Sequence, residues 1–163
     1  SQPRHPGRSC KAPAAAVPME IIDKVTYVTP NEHEAVLIFG DELSTEDLLR
    51  KYPEKLVITQ GSRGVSTCLK DGQILNVPAR KAQVVDTTGA GDTLNGAFSV
   101  QIAEGKAIED ALAYANVAAS LSTEKFGAQT GMPTAEEVET ALKILNGESV
   151  EKEIPVEMEL ITK

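Results

Sequence analysis

The stretch that most constrains this chain is Val84-Val85-Asp86-Thr87-Thr88-Gly89-Ala90-Gly91-Asp92-Thr93-Leu94-Asn95-Gly96. It reads as an apolar lead-in, a turn of threonine and glycine, and a helix continued by Ala97 to Ala103. Gly89 and Gly91 lack a Cβ, so the backbone there can approach a ligand closely and accept φ > 0. A helix beginning at such a turn presents unpaired N–H groups and partial positive charge. Phosphate is the usual anion at such an end. Asp86 and Asp92 bracket the turn, although a carboxylate there also simply complements the helix dipole. Other strands and helices alternate around this unit, as in a layered α/β fold with a mostly parallel sheet. Ligands of such sheets sit beyond the carboxyl ends of the strands.

The 163 residues suffice for one domain with a real core. Lys and Arg total 16 against 24 Asp and Glu, a formal charge of -8, which disfavours binding nucleic acid by phosphate neutralisation. No run of about 18 apolar residues points to a membrane span, and the first residues hold no apolar core of a signal peptide. Cys10 and Cys68 match no zinc or redox spacing, and Cys68 reads as a small core residue. This usage fits a reducing, cytoplasmic setting.

Along the chain, residues 1–18 carry four prolines and no periodic apolar pattern, so they read as a linker or non-native leader. Val25 to Val28 reads as a strand stopped by Pro30. Asn31 and Glu34 have the spacing of a capping box for a helix over Glu32 to Phe39. His33 lacks a metal-spaced partner and reads as a surface residue. Ser44 opens a second short helix to about Tyr52, with Leu48 and Leu49 inward. Leu56 to Thr59 has the apolar character of a strand in a parallel sheet. Gln60 to Gly64 is a second glycine turn. Val65 to Leu69 and Ile74 to Val77 flank Asp71-Gly72, a type I′ hairpin signal. Ile108, Leu112, Ala115, Ala119 and Ser122 recur at helical spacing between about Ala107 and Glu124. Asn116, inside that helix, reads as a solvated residue or a satisfied packing partner. After a loop from Phe126 to Pro133, Thr134 and Glu137 cap a last helix with a stripe of Val138, Ala141, Leu142 and Leu145. These boundaries predict a domain over residues 19–146 and an acidic tail over 147–163.

Taken together, Asn31-Glu32-His33-Glu34, Thr59-Gln60-Gly61-Ser62-Arg63-Gly64 and Asp86-Thr87-Thr88-Gly89-Ala90-Gly91-Asp92 resemble the ribokinase family of sugar kinases. Asn116 and Lys125-Phe126-Gly127-Ala128-Gln129 add to the likeness, which spans about residues 20–145 and is closest to the family's ribose-specific members. The resemblance implies a three-layer ribokinase-like α/β fold and ATP-dependent phosphorylation of a sugar hydroxyl, D-ribose to ribose 5-phosphate. It makes Asp92 the general base, in contact with the sugar, and Gly89, Ala90 and Gly91 the anion hole for the transferring phosphoryl group. It sets Thr59, Gln60, Gly61, Ser62, Arg63 and Gly64 against the nucleotide, together with Gly91, Asp92 and Asn116. Asn31 and Glu34 would serve Mg²⁺ and phosphate through water. Asp86, with backbone oxygens of Thr88, Ser122, Lys125 and Gly127, would enclose K⁺. Gly131 is a further position of that set, where the family often carries Ser.

Family chains are about twice as long. The resemblance therefore implies that the sugar-gripping N-terminal half and the β-sheet lid, through which the full-length form dimerises, are missing here, and that this chain alone is an incomplete kinase. Two other readings stay open: a non-catalytic nucleotide- or anion-binding module, and a family member acting on fructose, a nucleoside or a sugar phosphate. An aspartic-type hydrolase fails, because Thr88 separates Asp86-Thr87 from Gly89 and a helix follows.

Overall fold

The computed structural model describes residues 17–147, so most of the leader and the acidic tail lie outside the described residues. Six helices, α1 (Met19–Lys24), α2 (Glu32–Phe39), α3 (Thr45–Lys51), α4 (Ala90–Ala103), α5 (Ile108–Ser122) and α6 (Ala135–Leu145), accompany three strands. The strands are β1 (Val57–Thr59), β2 (Val65–Cys68) and β3 (Ile74–Val77), with a 3-10 turn, Gly61–Arg63, between the first two.

Local chemistry sets the helix starts. The Asn31 side chain accepts from the Glu34 N–H at 2.8 Å, and the Glu34 carboxylate accepts from the Asn31 N–H at 3.0 Å. Thr134 and Glu137 form the same reciprocal pair ahead of α6, and Ser44 caps α3. Each cap satisfies donors that the helix itself cannot.

The strands form one sheet in the order β1-β2-β3, antiparallel throughout, with Val57 opposite Thr67 and Val65 opposite Val77. Here the structure differs from the mostly parallel sheet read in the sequence. Parallel pairing among the described residues is confined to two bridges, Val28 with Leu56 and Asn31 with Thr59. The expected strand at Val25 to Val28 shrinks to that first bridge, and α1 takes up the preceding residues. Pro30 has no N–H to extend the ladder, although its carbonyl still accepts from Thr59 at 3.0 Å. The α2–α3 segment supplies the long crossover that parallel pairing requires.

The hairpin also differs in detail. The Gly72 N–H donates to Leu69 O and the Leu69 N–H to Gln73 O, both at 2.9 Å, leaving a three-residue loop of Lys70, Asp71 and Gly72. Asp71 is not in the left-handed region, because Glu54 alone among the described non-glycine residues has positive φ. A type I′ turn needs φ > 0 at both central residues, so this loop is the three-residue kind that ends on a left-handed glycine.

Alternation along the strands sends side chains to two faces. Leu56, Ile58 and Cys68 pack with Ala35, Leu48 and Leu49 of α2 and α3. Val57 and Val65 pack on the other face with Leu94, Phe98, Leu112 and Ala115 of α4 and α5. The three layers are thus helix, sheet and helix. Tyr27 adds an edge-to-face contact with Phe98 at 5.0 Å between ring centres. Outside α5, Val138 and Ala141 of α6 meet Val117 and Ala118. Leu145 does not join that stripe; it is 54% exposed, one turn beyond the contact with α5.

Gly64, just before β2, lies tightly against the end of β3. Its φ is +95°, and a Cβ there would lie 1.9 Å from Val77 O. Gly72 has φ +86° but open space around it. Gly72→Ala then carries backbone strain alone, about 1–2 kcal/mol. Gly64→Ala adds a backbone collision and is expected to cost at least about 2 kcal/mol more. Urea midpoints of the two variants give the comparison, and equal losses would contradict the close packing at Gly64.

Candidate functional site

A cleft of about 520 Å³ opens where β1, β3, α4 and α5 converge. Thr59, Gly61, Ser62 and Gly64 form one wall, and Thr87, Ala90, Gly91 and Leu94 another. Asn116, Ala119, Ser120 and Thr123 of α5 form its back. The segment after β3 closes the remaining side with Ala79, Arg80, Lys81, Ala82 and Val84.

The turn into α4 is built for close approach. Gly89 is its N-cap in the left-handed conformation, φ 81° and ψ 0°. A Cβ there would sit 2.8 Å from the Ala128 Cβ, so the turn and the 125–131 loop pack with no room for a side chain. The Thr93 N–H donates to Gly89 O at 2.8 Å and the Ala90 N–H to Thr87 O at 3.2 Å. Among the described residues, the N–H groups of Gly89, Gly91 and Asp92 have no backbone acceptor. They give the helix start its free donors.

Asp86 ties this turn down. Its Oδ1 accepts from the Thr88 N–H at 2.9 Å and its Oδ2 from the Gly127 N–H at 3.1 Å. The hydrogen bonds from Thr88, then that from Gly127, hold its carboxyl below the usual carboxylate range. Val85 and Asp86 also donate through their N–H groups to Thr123 O, at 2.7 and 3.1 Å. Beside them, backbone oxygens crowd around Gly131. A Cβ at Gly131 would lie 2.7 Å from Gly127 O, 2.8 Å from Ser122 O and 3.7 Å from Lys125 O. Three of the predicted oxygen donors thus face one small volume, with Asp86 bonded to the same loop. The Lys125 side chain turns away to Glu137 at 3.1 Å.

Asn116 is 4% exposed, and its amide donates to Pro78 O at 2.7 Å and Val77 O at 3.3 Å. It is both a satisfied packing partner and part of the cleft. Gln60 and Arg63 belong to the predicted nucleotide turn but do not line the cleft; their side chains reach Glu32 on α2 instead. Asn31 and Glu34 lie exposed at the start of α2, outside the lining, and His33 is exposed beside them. Asp92 is exposed in the first turn of α4, also outside the lining.

Two features escaped the sequence reading. One is the segment from Ala79 to Val84, in which Arg80 pairs with Glu124 at 2.8 Å across 44 residues of chain. Pro78 at the end of β3, followed by Arg80-Lys81, was the available signal. The other is Glu32, whose charge opposes that of Arg63 in the neighbouring glycine turn. Among the described residues, no group of three or more His, Cys, Asp or Glu is placed to hold a metal, and no helix is long and apolar enough to cross a membrane.

Residues 7–135 match the family described as pfkB family carbohydrate kinase. The chain is 53% identical over 131 residues to a ribokinase of Bacillus subtilis, covering 80% of this chain and 44% of that protein. A Lactococcus lactis ribokinase is 50% identical over 135 residues, with 82% and 44% covered. This chain therefore spans less than half the length of these relatives. Among solved structures, a ribokinase from Thermotoga maritima superposes with a TM-score of 0.72 at 37% identity, covering 81% of this chain and 47% of that one. The Arabidopsis thaliana ribokinase complexed with ribose and ATP gives a TM-score of 0.69 at 32% identity, covering 77% and 43%. Motif order, three-layer fold and family match agree: the chain belongs to the pfkB family of carbohydrate kinases.

Proposed function

We propose that this chain carries the nucleotide and phosphoryl-transfer part of an ATP-dependent sugar kinase whose acceptor is D-ribose, giving ribose 5-phosphate. The free N–H groups of Gly89, Gly91 and Asp92, at a left-handed turn bordering the 520 Å³ cleft, carry the proposal. The names of the relatives, and the ribose and ATP bound in the Arabidopsis thaliana structure, support ribose as the acceptor.

In this reading the nucleotide lies in the cleft, with its base toward Asn116 and its phosphates toward the start of α4. The Thr59–Gly64 turn flanks it. The sugar hydroxyl oxygen attacks the γ-phosphorus while the bond to the bridging oxygen breaks and ADP leaves. The Asp92 carboxylate takes the hydroxyl proton, as a positioned general base. Donors already aimed at the developing charge, here N–H groups of the Gly89–Gly91 turn, supply most of the catalysis in phosphoryl transfer.

Oxygen-only surroundings suit hard cations. The oxygens of Ser122, Lys125 and Gly127 around Gly131, with Asp86 and Thr88, would hold potassium beside the anion hole. Asn31 and Glu34 would serve magnesium through water, since a carboxylate engaged in one capping bond keeps further lone pairs. When bound, the two cations supply positive charge against the phosphates.

Asp92 lies outside the lining of the cleft, which favours a second reading, a nucleotide-binding module without catalysis. ADP formation decides between them. With D-ribose, Mg²⁺ and K⁺, the kinase reading expects little ADP release from this chain alone, ribose-dependent release once the sugar-gripping N-terminal half is supplied, and Asp92→Asn to lower that release by about 10²–10⁴. ATP binding by calorimetry with no ADP formed even when that half is supplied would establish the module instead, and fructose or adenosine replacing ribose would reassign the acceptor.

The ties on Asp86 have a pH signature. Its carboxyl is held below the ordinary range, so ionisation favours the folded turn. That contribution is present above the unfolded value, about 3.9, and is lost as pH falls through the lower folded value. The difference in urea midpoint between the chain and Asp86→Asn should therefore be constant above about pH 5 and shrink on acidification. A difference that grows below pH 5 would contradict this role.

A further inference from the structure

The Gly61–Arg63 turn has a glycine at its start and another just after it, both at positive φ, +57° for Gly61 and +95° for Gly64. Such a segment has little stiffness of its own. Its backbone bonds are local: Arg63 N–H to Gln60 O at 3.1 Å, Gly64 N–H to Gly61 O at 3.0 Å, and Gln60 N–H to Gly64 O at 2.8 Å. What connects it to a helix is Glu32. Glu32 Oε1 accepts from Gln60 Nε2 at 3.1 Å, and both carboxylate oxygens accept from one Arg63 guanidinium nitrogen.

Gln60 and Arg63 stand on either side of Gly61 and Ser62, the two residues of the turn that face the cleft. The tie continues behind the sheet. Gln60 Oε1 accepts from Ser66 Oγ at 2.7 Å, and Ser66 Oγ accepts from Asn76 Nδ2 at 3.0 Å. α2, the turn, β2 and β3 therefore share one polar chain. Its donors, Gln60 first and then Arg63, hold the Glu32 carboxyl below its ordinary range, so it stays ionised for both.

We propose that Glu32 is a positioning residue for the nucleotide: it grips the Gly61–Arg63 turn from the side away from the cleft and fixes the wall made by Gly61, Ser62 and Gly64. The inference rests on the nucleotide reading of the cleft. Glu32 itself touches no ligand in this arrangement. It acts through Gln60 and Arg63, and it links the Asn31–Glu34 helix start to the turn.

The test is ATP titration by calorimetry on the full chain, its Glu32→Gln and Arg63→Gln variants and the double variant, with melting temperature and amide hydrogen exchange alongside. Each single change is expected to weaken ATP binding about tenfold, the loss of one charge-assisted bond. The double variant should be no weaker than either single one, since the two side chains act as one unit. Exchange should quicken at Arg63 and Gly64 and stay unchanged in α5. Melting should move by less than about 3 °C, because the pair is exposed. Should Glu32→Gln unfold the chain, Arg63→Gln reads the same tie from the more exposed side. Unchanged ATP affinity in both single variants of a chain that binds ATP would overturn the positioning role alone. So would additive losses of about a hundredfold in the double variant. An unaltered chain that binds no ATP would overturn the nucleotide reading, and the positioning role with it.

Discussion

The burial of α5 on nearly every side is the constraint on which the rest depends. Ile108, Ala111, Leu112 and Ala115 face the sheet and α4, while Val117 and Ala118 face α6. A helix without a wide solvated face has its position and rotation fixed by its neighbours. Three of these contact residues are alanines at 0% or 2% exposure, which let backbones approach closely where larger side chains could not fit. Leu112, fully buried, contributes about 1.5–3 kcal/mol by leaving water. Enlarging an alanine in that seam would displace α4, and with α4 the glycine turn that starts it.

From that fixed helix the cleft is held by polar bonds at each end of the adjoining chain segments. Asn116 donates to the carbonyls of Val77 and Pro78, where β3 ends and has no further ladder partner among the described residues. Thr123 O receives two N–H groups from the lead-in at Val85 and Asp86. Asp86 then passes the constraint to Gly127, and Gly131 leaves space in which the loop's oxygens crowd together. Buried backbone groups that lose their regular partners must find others. Here one helix and the loop following it satisfy the groups freed at the ends of a strand and of a turn.

What could be read from the sequence was what local chemistry decides. The capping pairs Asn31 with Glu34 and Thr134 with Glu137 sit three residues apart, and each closed as read. Cys68 is buried as expected of a small residue in an apolar run. The glycine turn into α4 was legible because its left-handed N-cap position needs Gly89, whereas Gly91, read as equally free to take positive φ, lies inside the first turn of α4 without it. What could not be read depends on residues far apart in the chain. Val25 to Val28 has strand composition, yet one bridge to Leu56 is all the pairing it receives from the described residues. Asp71-Gly72 signals a two-residue turn, but the register of β2 against β3 allots three residues to the loop. Arg80 meets Glu124 only because α5 returns past β3, and no spacing rule links positions 44 residues apart.

The walls of the cleft are consequently held by different physics. The α4 and α5 walls rest on apolar packing and buried backbone bonds, which added salt does not weaken and which denaturation must break together. The Gly61–Arg63 turn of the other wall is tied from behind by an ion pair whose members are 65% and 41% exposed, and such bonds are screened within a Debye length. A ligand spanning the cleft would thus meet a rigid back and a more compliant front. Local opening at the front breaks a few exposed bonds, whereas moving the back breaks the core.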